Sequence, residues 1–185
     1  MLFDMENPEG FDPYHVLTNL VIPRPIAWVS SVSSEGIPNL APFSFYNAVC
    51  DEPPVVIISV SKREDGRRKD TARNILETKE FVINFVSEEF LELVKKSSED
   101  YPPHISEFET LGIQKARSYR VKVPRVAKAK AWLECVLIKH EELFNYDLIF
   151  GRVVFAGAES LNYEVLKPLG RLSGRFCKII EIAQG

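Results

Sequence analysis

The sequence predicts a mainly β protein, an antiparallel barrel with a few short helices. Three observations carry that expectation. Strand-length apolar runs rich in Val, Ile, Phe and Trp recur in both halves of the chain. The helical patterns between them are few and short. No Gly-x-Gly-x-x-Gly follows a strand, so alternating βαβ units and a Rossmann site are not expected.

Taken in order, residues 11–19 predict a short helix. Residues 25–32 are apolar and β-rich (Ile26, Trp28, Val29, Val32) and contain Ser30 and Ser31. Ser34-Glu35-Gly36 reads as a turn, and a second run over 38–50 completes a predicted hairpin. Pro53-Pro54 breaks the chain before Val55–Val60, which is apolar on both faces and is expected to be covered on both. A charged loop over 62–69 leads to a helix capped by Asp70 or Thr71, with Ala72, Ile75 and Leu76 as its apolar face. Residues 80–86 predict a strand. Ser87 then caps a helix with Glu88 and Glu89 in its first turn and Lys95 and Lys96 in its last, which suits the helix dipole. Residues 101–112 read as irregular. Long strands are expected over 130–139 and 148–156, and a final one over 176–182.

The totals narrow the function. A chain of 185 residues favours one domain over 1–185. Such a domain buries roughly 70% of the surface that its unfolded chain exposes, so it needs no disulfide or metal to stand. The net charge of −3, from 23 basic and 26 acidic residues, argues against nucleic acid as a partner. Cys50, Cys135 and Cys177 are scattered with no Cys-x-x-Cys, which reads as buried thiols in a reducing compartment. The start is polar and acidic, unlike a signal peptide, and no apolar run approaches the roughly 18 residues of a membrane span. The expectation is a cytoplasmic protein with no membrane partner.

Two segments stand out as candidate binding sites. Arg63, Arg67, Arg68 and Lys69 lead into a helix start at Asp70-Thr71. Free N–H groups and the helix dipole favour a phosphate there. The dipole supplies only about 0.3–1 kcal/mol, so neighbouring cations and hydroxyls must add the rest. A solvated basic loop before an ordinary helix is the structural alternative. The second segment is Ala41-Pro42-Phe43-Ser44-Phe45-Tyr46-Asn47. A proline inside a strand pattern requires an edge or a bulge, where backbone groups are open to a ligand. Ser44 and Asn47 can match the polar rim of a heteroaromatic ring, with Ser30 and Ser31 close by. A bulged strand with no ligand accounts for the same residues. His15, His104 and His140 are isolated, and no nucleophile elbow, P-loop or His-Glu-x-x-His is present. Redox chemistry would then come from a cofactor.

Four linked motifs give the chain a family resemblance. They are Pro23-Arg24-Pro25-Ile26-Ala27, Asn39 to Asn47, Asp51 to Pro54 with Glu52 inserted, and Lys69-Asp70-Thr71 followed by Asn74-Ile75. In order and spacing they resemble the flavin reductase-like family of FMN-binding split barrels, which includes flavoredoxin. The resemblance implies a six-stranded Greek-key split barrel and a homodimer with one FMN per subunit. It places the flavin ring along Ala41–Asn47 and the phosphate near Ser59 and Lys69–Thr71. FAD shares the ring and first phosphate and is the alternative flavin. The implied activity is hydride transfer from NAD(P)H to flavin. A flavoredoxin-like electron-transfer protein with a redox-protein donor is the alternative. Many relatives carry Gly-Asp-His before the strand ending in Gly-x-Val-Val. Here Tyr146-Asp147-Leu148 stands there, with leucine for histidine. Pro168–Gly174 resembles the family's closing glycine-rich stretch.

Overall fold

The computed structural model describes residues 1–182. In chain order it forms α1 (Pro13–Leu20), β1 (Arg24–Pro25), β2 (Ala27–Val32), β3 (Pro38–Phe43), β4 (Tyr46–Asp51), β5 (Pro54–Ser61), α2 (Asp70–Thr78) and β6 (Glu80–Phe85). A 3₁₀ turn over Glu88–Phe90 then leads into α3 (Leu91–Lys96), α4 (Glu107–Thr110), β7 (Lys115–Ala116), β8 (Arg125–Val126), β9 (Ala131–Leu143), β10 (Tyr146–Ala158), α5 (Tyr163–Leu166), β11 (Leu169–Leu172) and β12 (Arg175–Lys178).

The main sheet is antiparallel, in the order β3-β2-β6-β9-β10-β5-β4. It has seven strands where the family resemblance implies six. The run over 38–50 is not one strand: it breaks at Ser44-Phe45 into β3 and β4, which lie at opposite edges of the sheet. The two edges are therefore joined by a two-residue connection, and the barrel is split there. Pro42 sits on the edge strand β3 opposite Trp28, where its missing N–H costs no ladder bond on the open side.

One face of the sheet closes over Val29, Val56, Ile58, Val60, Phe81, Ile83 and Ile149, with Ala72 and Ile75 of α2 packed against them. The other face packs around Trp28, Leu40, Val94 and Phe108. Burying side chains of this size stabilises by about 1.5–3 kcal/mol each. β5 keeps Val56, Ile58 and Val60 inside, while Ile57 and Ser59 on its outer face are only half-buried. Both faces of this strand are thus not equally covered. Gly151 lets Phe81 approach: a Cβ there would lie 2.2 Å from Phe81 Cζ.

Several local expectations are corrected. Neither Asp70 nor Thr71 caps α2; Lys69 holds the cap position and supplies no side-chain cap bond. Ser87 precedes a 3₁₀ turn and also makes no side-chain cap bond. The stretch 101–112, expected to be irregular, contains α4, whose Glu107 accepts a hydrogen bond from Leu40 N at 2.8 Å. The loop expected over 141–147 is a tight hairpin, because β9 and β10 pair up to Leu143 and Tyr146. β11 was not foreseen. It pairs with β1 and β12 in a small separate sheet. Of the three cysteines only Cys135 is buried; Cys50 is exposed. Among the described residues no helix is long and apolar enough to cross a membrane, and no group of three or more metal-ligating side chains occurs.

Candidate functional site

The binding residues collect where β3 leaves the sheet beside the start of α2. A cavity of about 140 Å³ is lined by Ala41, Pro42, Phe43, Lys69, Asp70 and Thr71, together with Asn39, Arg63 and Glu107. Strand β3 brings one set and the first turn of α2 the other. Asn39 Nδ2 donates to Thr71 Oγ1 at 2.8 Å and holds the two elements together. Behind them Asn74 Nδ2 donates to Ser31 Oγ at 3.3 Å.

Cations and carboxylates both line this cavity, Arg63 and Lys69 against Asp70, Glu99, Asp100 and Glu107. Lys69 makes no ion pair among the described residues. Burial, and then the nearby Arg63 guanidinium, hold its ammonium below the usual lysine range. Asp70 at the head of α2 is occupied by Arg63 at 3.1 Å and Arg73 at 2.6 Å. The first N–H groups of α2 receive no side-chain cap. An oxyanion would meet the unbridged Lys69 ammonium, a hydroxyl and free N–H donors. Glu107 is the counterweight. It is 5% exposed, and burial pushes its carboxyl up to about 7 from an ordinary 4.5.

Pro42 and Phe43 also form a wall of a larger cleft of about 660 Å³. Ser44 lies on its edge, with Ile26, Tyr14, Lys95, Arg171 and Phe176 around it. Arg171 lies over the Phe176 ring, 4.4 Å from its centroid. Burial, and then the nearby Arg24, push the Arg171 guanidinium down. Arg24 itself is buried, donating to Thr18 O at 2.6 Å and Ser173 O at 2.9 Å. The cleft thus combines apolar walls with the cations Lys95, Arg171 and Arg175, which suits a flat ring carrying electron-rich edges.

The remaining candidates lie elsewhere. Phe45, Asn47 and Ser59 line a separate cavity of about 380 Å³ beside α1, with Ser44 shared between it and the larger cleft. Ser59 N donates to Phe45 O at 2.8 Å, which stitches the β3–β4 connection onto β5. Ser59 is therefore not in the group formed by Lys69, Asp70 and Thr71. Ser30 is fully enclosed: its hydroxyl donates to Pro124 O at 2.7 Å and accepts from Asn84. Its side chain is committed to the fold. Leu148 faces the half-buried outer side of β10, directly opposite Ser59. Its neighbour Asp147 points inward, fully buried, with His140 Nε2 at 2.7 Å and Arg68 Nε at 2.9 Å.

Sequence reasoning did not assign Arg171, Phe176, Glu107 or Ser98 to a site. The first two fall in or beside the glycine-rich closing stretch, where a signal existed. Glu107 and Ser98 belong to segments with no motif, and only the packing of α3 and α4 against β3 brings them in.

Comparison with known proteins accords with this geometry. An uncharacterised protein of Aquifex aeolicus is 44% identical over 184 residues, covering 95% of this chain and 94% of its own. The structure of nitrilotriacetate monooxygenase component B from Bacillus cereus superposes with a TM-score of 0.90 at 35% identity, covering 100% of this chain and 98% of its own. That of Pseudomonas fluorescens 2-nitrobenzoate 2-nitroreductase gives 0.84 at 31%, covering 100% and 94%. The family model described as flavin reductase like domain matches residues 19–179, so the chain belongs to the flavin reductase-like family and has its split-barrel fold.

Proposed function

We propose that the chain is an NAD(P)H-dependent flavin reductase, holding the flavin ring in the 660 Å³ cleft and its first phosphate in the 140 Å³ cavity. Membership in the family implies use of a flavin and a nicotinamide. The observation that carries the assignment of the two ends is Lys69. It is a half-buried cation without an ion-pair partner among the described residues, beside an uncapped helix start, in a cavity that shares Pro42 and Phe43 with the larger cleft.

The donor set fits the group. Lys69 and Thr71 would hold a phosphate with Ala41 beside it, while Pro42, Phe43 and Ser44 would present a wall and backbone groups to a ring. Bound there, a flavin supplies the redox chemistry, accepting hydride from a reduced nicotinamide. Lys95, Arg171 and Arg175 place positive charge beside the ring end, which favours an electron-rich ring over a neutral one. No side chain is assigned as acid, base or nucleophile. The protein's part is to orient two rings against each other and to keep water from between them.

The test is anaerobic mixing of the flavin-loaded protein with NADH and with NADPH. Bleaching of the flavin bands by at least one is expected. A protein that takes up neither FMN nor FAD would overturn the reading.

Leu148 favours a second reading. It places an apolar side chain opposite Ser59 where many relatives have histidine. In that reading the protein is flavoredoxin-like, and a protein donor reduces a flavin that neither nicotinamide bleaches. Both readings include a single domain over the whole chain and a homodimer. The homodimer is supported by exposed Leu17, Leu20, Val21 and Ile22 on and after α1, an apolar patch suited to a second copy.

A further inference from the structure

The 140 Å³ cavity holds more negative than positive side chains. The head of α2 brings Lys69 and Asp70 to it, the basic loop Arg63, and the segment after α3 Glu99, Asp100 and Tyr101. Strand β3 brings no titratable group. Arg63 and Arg73 bridge Asp70, and Arg63 also bridges the exposed Asp100. Glu99 is exposed to solvent. Glu107, on α4, differs from these carboxylates. It is buried, and no cation bridges it among the described residues. Its Oε2 accepts a hydrogen bond from Leu40 N at 2.8 Å, which fixes the carboxyl on the cavity wall.

A buried carboxylate with no cation beside it gives up its hydration and gains no ion pair, so its charged form is disfavoured. Burial, and to a smaller degree the charge on Asp70, raise the Glu107 carboxyl to about 7, against backbone N–H groups that lower it. The two forms of this group treat an anion in opposite ways. Ionised, Glu107 only accepts hydrogen bonds and repels a phosphate. Protonated, it carries an O–H donor and no charge. With Arg73 counted, three cations stand against four carboxylates here, and one proton on Glu107 makes the two equal. A phosphate brought beside Glu107 would act on it as a second carboxylate does in a shared site, making the ionised form still harder to keep.

We propose that Glu107 takes up a proton from solvent when a phosphate monoester enters this cavity and returns it when the cavity empties, so that a phosphate-bearing ligand binds more weakly as pH rises. The proposal rests on the placement of the flavin phosphate here and adds to it a residue that sets the pH range of binding. Lys69, Thr71 and the first N–H groups of α2 attract the phosphate, and Glu107 opposes them once it is ionised. At pH 6 the carboxyl already holds its proton, and binding needs no other. Above about 7 the proton must be drawn from solution, and affinity falls by up to about tenfold per pH unit. Riboflavin has no phosphate to place in the cavity and carries no such dependence. The phosphate of the ligand titrates near 6 on its own account, equally for every variant of the protein.

Apoprotein is titrated with FMN and with riboflavin by fluorescence at pH 6 and pH 9 and fixed ionic strength. The wild type is compared with Glu107→Gln, which keeps an acceptor for Leu40 N. Between the two pH values the FMN affinity of the wild type is expected to fall at least about tenfold more than that of the variant. Riboflavin affinity should change alike in both proteins. Calorimetry of FMN binding to the wild type at pH 8, in two buffers of different ionisation enthalpy, should show uptake approaching one proton per site. Phosphorus NMR of the bound FMN subtracts any proton held by the phosphate, so this measurement serves even if the variant does not fold. Parallel FMN profiles for wild type and variant overturn the proposal, as does binding at pH 8 with no proton taken up by the protein. A riboflavin difference as large as that for FMN also overturns it, because Glu107 would then act through the fold. If FMN binds with any of these results, only this proposal falls. If neither FMN nor FAD binds, the flavin reading falls and takes this proposal with it.

Discussion

Asn39 Nδ2 donates to Thr71 Oγ1 at 2.8 Å, a bond that ties the edge strand β3 to the first turn of α2. On the proposed reading it couples the wall that faces the ring to the cavity that takes the phosphate. In Asn39→Ala the hydroxyl of Thr71 loses its donor and β3 loses its brace. Flavin affinity is expected to drop about tenfold, with a change in melting temperature of only a few degrees, roughly what a lost hydrogen bond of about 1 kcal/mol gives. Fluorescence titration and a thermal melt on the same sample separate the two effects.

With the flavin placed as proposed, Lys69 and Thr71 act on its phosphate and not on the ring. Lys69→Ala/Thr71→Ala should therefore weaken FMN by about a hundredfold, two charge-assisted contacts at about 1.5 kcal/mol each, and leave riboflavin almost unchanged. Equal losses for FMN and riboflavin would place the phosphate elsewhere.

Glu107 sets a pH dependence of stability. Its carboxyl is raised from 4.5 to about 7 in the folded protein, chiefly by burial. The folded state then holds a proton that the unfolded chain has already released, so stability falls as pH rises from about 4.5 to about 7 and levels off above. The drop is on the order of 3 kcal/mol. Glu107→Gln keeps an acceptor for Leu40 N and removes the titration. Melting temperatures at pH 5 and pH 8 should differ for the wild type by more than for this variant. An unchanged difference would show that Glu107 titrates normally.

Leu148 cannot carry a proton, and the nearest histidine on the neighbouring strand, His140, turns inward to Asp147. In a Glu107→Gln background, which removes the carboxyl raised to about 7, the rate of flavin reduction by a nicotinamide is therefore expected to be flat between pH 6 and pH 8. Leu148→His should introduce a dependence centred near the ordinary imidazole range, about 6.5. Stopped-flow traces across that range decide it. A Glu107→Gln rate that already titrates there would point to another group.

Much of the barrel was legible because its signals are local. Alternating or continuous apolar runs identified β2, β5, β6, β9 and β10, and Lys69–Thr71 marked the start of α2. The break at Ser44-Phe45 was not legible, because nothing in that apolar run distinguishes a strand that continues from one that crosses to the far edge. The cap of α2 was misread for a related reason: Asp70 has the right chemistry, but Arg63 and Arg73 hold its carboxylate. Phe45 and Asn47 share the motif with Ala41–Ser44, yet the crossing at Ser44-Phe45 carries them to the far edge of the sheet and to another cavity, where Ser59 of β5 meets them. Glu107 was invisible, since an isolated glutamate in a Pro-rich stretch gives no sign that it will be buried against Leu40.

The Ser44-Phe45 connection also has a consequence for how the chain tolerates change in length. Adding or deleting one residue there would slide β4 by one position against β5 and turn every side chain of β4 to the opposite face. The segment 62–68 is free of that constraint, because it joins β5 to a helix and fixes no strand register. Insertions among natural variants should therefore accumulate in the basic loop and be absent from the crossover, so that the loop can diversify while the link between the two sheet edges keeps its length.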